Sequence, residues 1–578
     1  MNPIGTAIER SPKKKGYLGR QSRWLRVSMW ISSGILAVVV LFVFAAAIVL
    51  HTTAFHNYVL NKARALASEQ LGTRVDLQNF TLHLSTLSLD IYGLTVYGAE
   101  PYPDPPLLQI QHAQVGIRIV SILQRKWYLG SLRIDGSVAK IFTDANGNSN
   151  IPKLKSSGGG SKTSIFDLGI RHAALTSGEV YYNDKHSSVA ADLHDLEFRA
   201  AFDAALQTYS GTLSYRDGHL TAGSTQTFPH SLNAAFDATP STFRLAPATL
   251  TTGGSKIVLS ATVQNYSDPD VQAHYDVIVD GRDVRGILAN PSIPTGLIHS
   301  SGSARYHAIP NRPALNGVVL NGNLSSQQLD IQTPSLGGRI NDVAAQYSLA
   351  NGDATLQFLR ARLLGGELES AGKMNAIGGD SSHSEVNASL RGISLGELRG
   401  MLRTAAMPKN VALTGTMNSQ LKATWGKTIQ NLVAQADATV DGRISGSTDG
   451  PATVIPLNAV VHGNYSNASR QMVLKESYVR TSQTSLTMNG VMSKRSNVAL
   501  KLQANDLREM ETVAELFRTP APGQTLQPLG LAGTATFNGT LGGSTTAPNL
   551  KGQLVASNVQ VHGTTWRVLR TGVDVSPS

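Results

Sequence analysis

From Gly72 onward the hydrophobic residues recur with a period of two. The stretch TLHLSTLSLDIYGLTVYG puts Leu82 and Leu84, then Leu87, Leu89 and Ile91, then Leu94 and Val96 at alternating positions. KIVLSATVQNY sets Ile257, Leu259, Ala261 and Val263 against Val258, Ser260, Thr262 and Gln264. ATLQFLRA repeats the pattern with Leu356 and Phe358, and NVALKLQA with Val498, Leu500 and Leu502. Successive side chains of a strand point to opposite faces, so this alternation predicts strands with one apolar and one wettable face. The 54 glycines and the 15% of charged residues fit many short strands joined by turns. The expected fold is mainly β.

The N-terminus reads differently. Met29–Leu50 is 22 residues without a charge. As a helix it would be about 33 Å long, enough to cross a bilayer core. Arg10, Lys13, Lys14, Lys15, Arg20, Arg23 and Arg26 precede it against Glu9, a net +6 of the chain's +11. By the positive-inside rule, residues 1–26 form a cytoplasmic tail, 27–50 a single-pass anchor, and the bulk lies on the far side. A cleaved signal peptide is the alternative, with Ala45 and Ala47 in an A-x-A-like site, but its apolar region is usually shorter. A short helix is expected to follow, capped by Asn57 and closed by Gly72. Residues 51–155 form a first β domain with this helix at its head, and the glycine- and serine-rich 156–163 reads as a linker.

Residues 164–578 repeat. VDGRDVRGIL, LRGISLGEL and QANDLREMETVAELF each join a strand to a short helix, and aligning Asp283, Ser394 and Asp506 gives spacings of 111 and 112 residues. SGSARYHA, LTGTMNSQLKATW and LAGTATFNGTL correspond downstream. Gly392, Ser394 and Gly396 have the G-x-S-x-G spacing of a hydrolase nucleophile elbow. Aspartate stands at the aligned position of the other two units, and what serine and aspartate share is a preference for helix N-caps. Asp283, Ser394 and Asp506 are therefore expected to cap helices rather than to carry catalysis. The third unit stops about 39 residues short of a full period, as in a piece of a longer protein.

Other chemistry is excluded in turn. There is no cysteine, hence no disulfide and no thiolate site, and the closest of the 15 histidines are His51 and His56, too far apart for helical metal pairs. WGKT (Trp425–Thr428) ends like a phosphate loop, but Leu421 occupies the upstream glycine position. DANGNSN (Asp144–Asn150) starts like a calcium loop with its glycine two places early, which fits a hairpin turn better. The reading is no enzyme, no cofactor, no metal site and no nucleic-acid partner. An apolar sheet face must be buried against something, either a second sheet or acyl chains held in an open groove.

A resemblance bears on that choice. The anchor, ARALASEQLGTRVDLQNFTLHLSTLSLDIYGLTVYG, and then VGIRIVSIL, QRK, SLRIDG and DANGNSNIP follow one another as in AsmA-like proteins, relatives of TamB that are similar to chorein-type bridge proteins. The LTGT and AGTATFNGTLGG…PNLKG hairpins are typical of the same group. The resemblance implies a bacterial inner-membrane anchor, an elongated periplasmic β-groove of taco-like shape, and phospholipid transport to the outer membrane or its upkeep. It also implies phospholipid acyl chains as ligand and leaves room for an outer-membrane protein as partner. On this reading Ile257, Leu259, Val263, Leu356, Phe358, Leu500 and Leu502 line the groove. Two rivals remain: an assembly factor for outer-membrane β-barrels and a structural envelope scaffold.

Overall fold

A computed structural model describes residues 52–83, 85–117, 129–152, 166, 169–333, 337–401, 411–446, 453–517, 528–544 and 547–576. The expected tail and anchor (1–50) and the linker (156–163) lie outside these. No helix among the described residues is long and apolar enough to cross a membrane.

The described residues form one open sheet of 26 strands, from Val75–His83 to Thr564–Val575. Consecutive strands pair antiparallel throughout, except that Leu129–Thr143 and His172–Asp184 run parallel. Apart from four helices, the substantial contacts of each strand are with its hydrogen-bonded neighbours. The sheet is thus one long series in which each strand pairs with its neighbours in the chain.

Helix α1 (Thr53–Leu71) packs on the first strand through buried Leu60, and Arg64 donates to the Leu77 carbonyl. It begins five residues earlier than the sequence suggested. The Thr52 hydroxyl accepts from Phe55 N at 3.4 Å and is the N-cap, which places Asn57 inside the helix. Gly72 ends it in the left-handed region at φ 69°, as a C-terminal glycine does.

The other helices are α2 (Gly281–Ile287), α3 (Leu395–Met401) and α4 (Leu507–Phe517). Six strands separate α2 from α3 and six more separate α3 from α4. Six is even, so all three helices fall on the same rim of the sheet.

The Asp280 carboxylate, not that of Asp283, accepts from the second helical amide of α2, Arg282 N, at 2.9 Å. Ser394 Oγ accepts from Glu397 N at 3.3 Å and Asp506 Oδ1 from Arg508 N at 3.0 Å. The caps are therefore Asp280, Ser394 and Asp506. Each is followed three residues on by an acid: Asp283, Glu397 or Glu509. In the first and third units this acid ties the helix to the preceding hairpin. Asp283 Oδ2 accepts from Gly254 N at 2.9 Å and Ser255 Oγ at 2.6 Å, and the Glu509 carboxylate from Gln483 N at 3.0 Å. Aligning Asp283 with Ser394 had merged these two roles.

The apolar clusters collect under α4. Leu507 packs with Ala504, Ala535, Ala556 and Val559, while Leu516 reaches back to Val411 and Ile444, on strands that open the preceding six-strand unit. One helix thereby ties two successive units together.

Candidate functional site

Cross-strand partners share a face of a sheet, so the register shows what each face presents. One row of partners runs Leu259, Tyr275, Gly302, Gly322, Tyr347 and Leu356 over six successive strands. It continues through Gly372, Val386, Ala423, Ala434, Tyr465 and Met472, twelve strands with no charge and no amide side chain. One residue over, on the opposite face, the parallel row reads Ser260, His274, Ser303, Asn321, Ser348 and Thr355, then Lys373, Glu385 and Thr424. Alternation within each strand has become two chemically distinct faces of the whole sheet.

The apolar face is low in relief. Tyr275 and Tyr347 lie toward each other over Gly302 and Gly322, their hydroxyls 2.8 Å apart, and Ser300 Oγ meets the Tyr347 hydroxyl at 2.6 Å. A Cβ added at Gly322 would fall 2.3 Å from the Tyr275 oxygen, so glycine is what lets the ring lie there. Burial and the Tyr347 hydrogen bond push the Tyr275 hydroxyl well above the ordinary phenol range, and it stays protonated. Elsewhere on this face Phe198, Phe236 and Phe243 stack in series with centroids 5.8 Å apart.

This face is partly open and partly buried: Ala248 is 7%, Ala345 6% and Leu474 7% exposed. Ile257 is 38% and Leu259 36% exposed, and Val263, Leu356, Leu500 and Leu502 are half-buried. Leu500 and Leu502 sit on one strand face with Val498 and Ala504, each 1% exposed, and Leu502 faces Phe537 and through it Leu554.

Phe358 departs from the expectation. The ladder slips between Gln346 and Tyr347, so that Leu356 pairs with Tyr347 while Phe358 pairs with Gln346. The bulge moves Phe358 to the polar face, where the Arg360 guanidinium stands 5.5 Å from its ring centroid. There it borders an open cavity of about 610 Å³ walled by charged and amide side chains such as Glu369, Asn387, Lys422 and Asp437.

The other motifs resolve into local structure. Asp144 accepts from Asn146 N, Asn148 N, Asn148 Nδ2 and the Tyr102 hydroxyl, all at 2.8–2.9 Å. The Asn148 side chain leads these donors in holding its pKa down at about 2, against the opposing effect of desolvation. The carboxylate is spent on closing a turn. Lys427 pairs with Asp380 at 2.7 Å on the surface, and the Ser394 hydroxyl is occupied as a cap. Among the described residues, Asp192, His194 and His219 form a group able to hold a metal ion. It was not foreseen, because its two histidines lie 25 positions apart and only strand register joins them.

What the fold and the face define is a repeating, mainly β protein, one long open sheet with a continuous apolar row along one side. No family model, curated protein or solved structure matches the chain.

Proposed function

We propose that this chain is an anchored periplasmic protein whose sheet is folded into a trough, apolar face inward, that carries phospholipid acyl chains between the two membranes of a bacterial envelope. The supporting observation is the twelve-strand row from Leu259 to Met472, apolar throughout and open to solvent at Leu259. Each acyl CH₂ moved from water onto such a face gains about 0.8 kcal/mol. Continuity, rather than a polar constellation, is what passage along the sheet requires. The AsmA-like order of parts in residues 1–155 supports the same reading and supplies the anchor. Direction and energy come from outside the sheet, since the row is the same read either way.

A second reading, pairing with client strands, draws on Thr564–Val575. Its outer edge has no partner among the described residues, and it exposes Trp566, Val568 and Val575.

Charge placed on either face separates the two. Leu259→Asp and Leu356→Asp are expected to abolish lipid transfer and weaken the outer-membrane barrier in cells while the protein keeps its protease resistance. Ser260→Asp is expected to act as wild type, and so is a proline in Thr564–Val575. Wild-type transfer in both leucine variants, with loss of function on the proline, would hand the case to edge pairing.

A further inference from the structure

Two neighbouring strands, Val189–Asp203 and Thr208–Ala222, are irregular at the same place. Their register shifts on both sides of His194, and it shifts again between Tyr215 and Gly218 where the second strand meets Phe228–Ala238. Asp195 and Asp217 both take φ 50°, a conformation side-chain-bearing residues seldom adopt. Bulges of this kind re-aim side chains. Here they bring Asp192, its i+2 neighbour His194, and its cross-strand partner His219 onto one spot of the polar face.

The distances are those of ligands rather than of hydrogen bonds. Asp192 Oδ1 lies 3.5 Å from His219 Nδ1, and Asp192 Oδ2 lies 3.6 Å from His194 Nε2. The donor atoms of all three residues fall within 4.8 Å of one another. Ligands about 2.0–2.1 Å from a tetrahedral zinc ion stand about 3.4 Å apart. His219 Nδ1 is buried and has no hydrogen-bond partner, although a carboxylate is beside it.

Another His–Asp cluster of the sheet behaves otherwise. Asp90 takes His83 Nε2 at 2.8 Å and His112 Nε2 at 3.1 Å, so its carboxylate is satisfied by hydrogen bonds. At Asp192 the gap is wider and the nitrogen is left over. Asp192 and His219 also stand in the wall of an open cavity of about 660 Å³, with Phe142, Tyr181, Tyr182 and Thr221 around it.

We infer that Asp192, His194 and His219 bind a divalent transition-metal ion of zinc type through one carboxylate oxygen and two imidazole nitrogens. The fourth position faces the cavity and is completed by water or another exchangeable ligand. This set of donors suits zinc better than calcium or magnesium, which favour all-oxygen shells. The site lies on the polar face, and it stands whether or not the opposite face carries lipid.

The test is a titration of the purified full-length chain, free of any polyhistidine tag, with zinc chloride. Cobalt substituted for zinc reports coordination through its visible spectrum. The expected result is one tight equivalent of zinc and a tetrahedral cobalt spectrum. His219→Ala and Asp192→Asn should each weaken binding by on the order of a hundredfold. Asp192→Asn keeps the side chain's shape and guards against a mere folding failure. His462→Ala removes a histidine whose Nδ1 lies 2.6 Å from Asp437, a hydrogen-bond distance, and should leave binding unchanged. No stoichiometric zinc, or the same zinc uptake in Asp192→Asn as in wild type, would overturn the site.

Discussion

Ser394 has the spacing of a nucleophile, but its hydroxyl is held by Glu397 N at 3.3 Å. The equivalent residues Asp280 and Asp506 make the same kind of bond to the start of their own helices. If capping is its whole role, Ser394→Ala costs about 1 kcal/mol and Ser394→Asp restores it. Hydrogen exchange of the amides in Leu395–Met401 reads this directly: faster in the alanine variant, and back to wild type with aspartate. Protection lost equally in both variants would contradict the assignment. The true cap pattern was visible in the sequence as D-x-x-D, S-x-x-E and D-x-x-E, a cap with an acid three residues on. What obscured it at the first unit is the second aspartate of Asp280-Gly281-Arg282-Asp283, which competes for the same alignment column. At Asp280, bonds from the Arg282 guanidinium hold the carboxyl below its ordinary range, as a charged cap requires.

Among the elements, the strands were the legible part, since alternation alone specifies them wherever the ladder is regular. It fails at bulges. Phe358 follows Leu356 by two residues and looks like its neighbour on one face, yet the slipped pairing at Gln346 and Tyr347 turns it to the other side. The same kind of irregularity brings His194 to His219. Asp192 and His194, alternating in one strand, were the only hint that the chain itself gave. The rim helices carry a different burden. Leu516, 3% exposed, closes a cluster with Val411 and Ile444 that begins a six-strand unit earlier, while Leu507 closes one on the strands ahead. Leu516→Ala is expected to cost about 2–5 kcal/mol by opening a cavity. Because the clusters are local, limited proteolysis of this variant should cut first near α4 and leave Val189–Gln264 protected. Uniform loss of protection over the whole sheet would show instead that the units melt as one.

For the molecule as a whole, large side chains exposed by less than 2% are few among the described residues: Ile393, Val411 and Val498. A sheet of 26 strands with so little fully enclosed core keeps its shape through backbone ladders, cross-strand pairs and rim helices. It leaves apolar area in contact with water unless another molecule covers it. On the row proposed to carry lipid, Ile257 is 38% and Leu259 36% exposed. The sequence could show that each strand has an apolar side, but not that these sides join into one row, because register is a property of the assembled fold. The most direct measurement is photo-crosslinking in living cells, with a photoreactive amino acid at Leu259 and, as opposite-face control, at Ser260. Phospholipid attached at position 259 and absent at 260 is the result expected of a lipid-carrying face. A folded, membrane-anchored protein that captures no lipid at 259, or captures it equally at both positions, would contradict it.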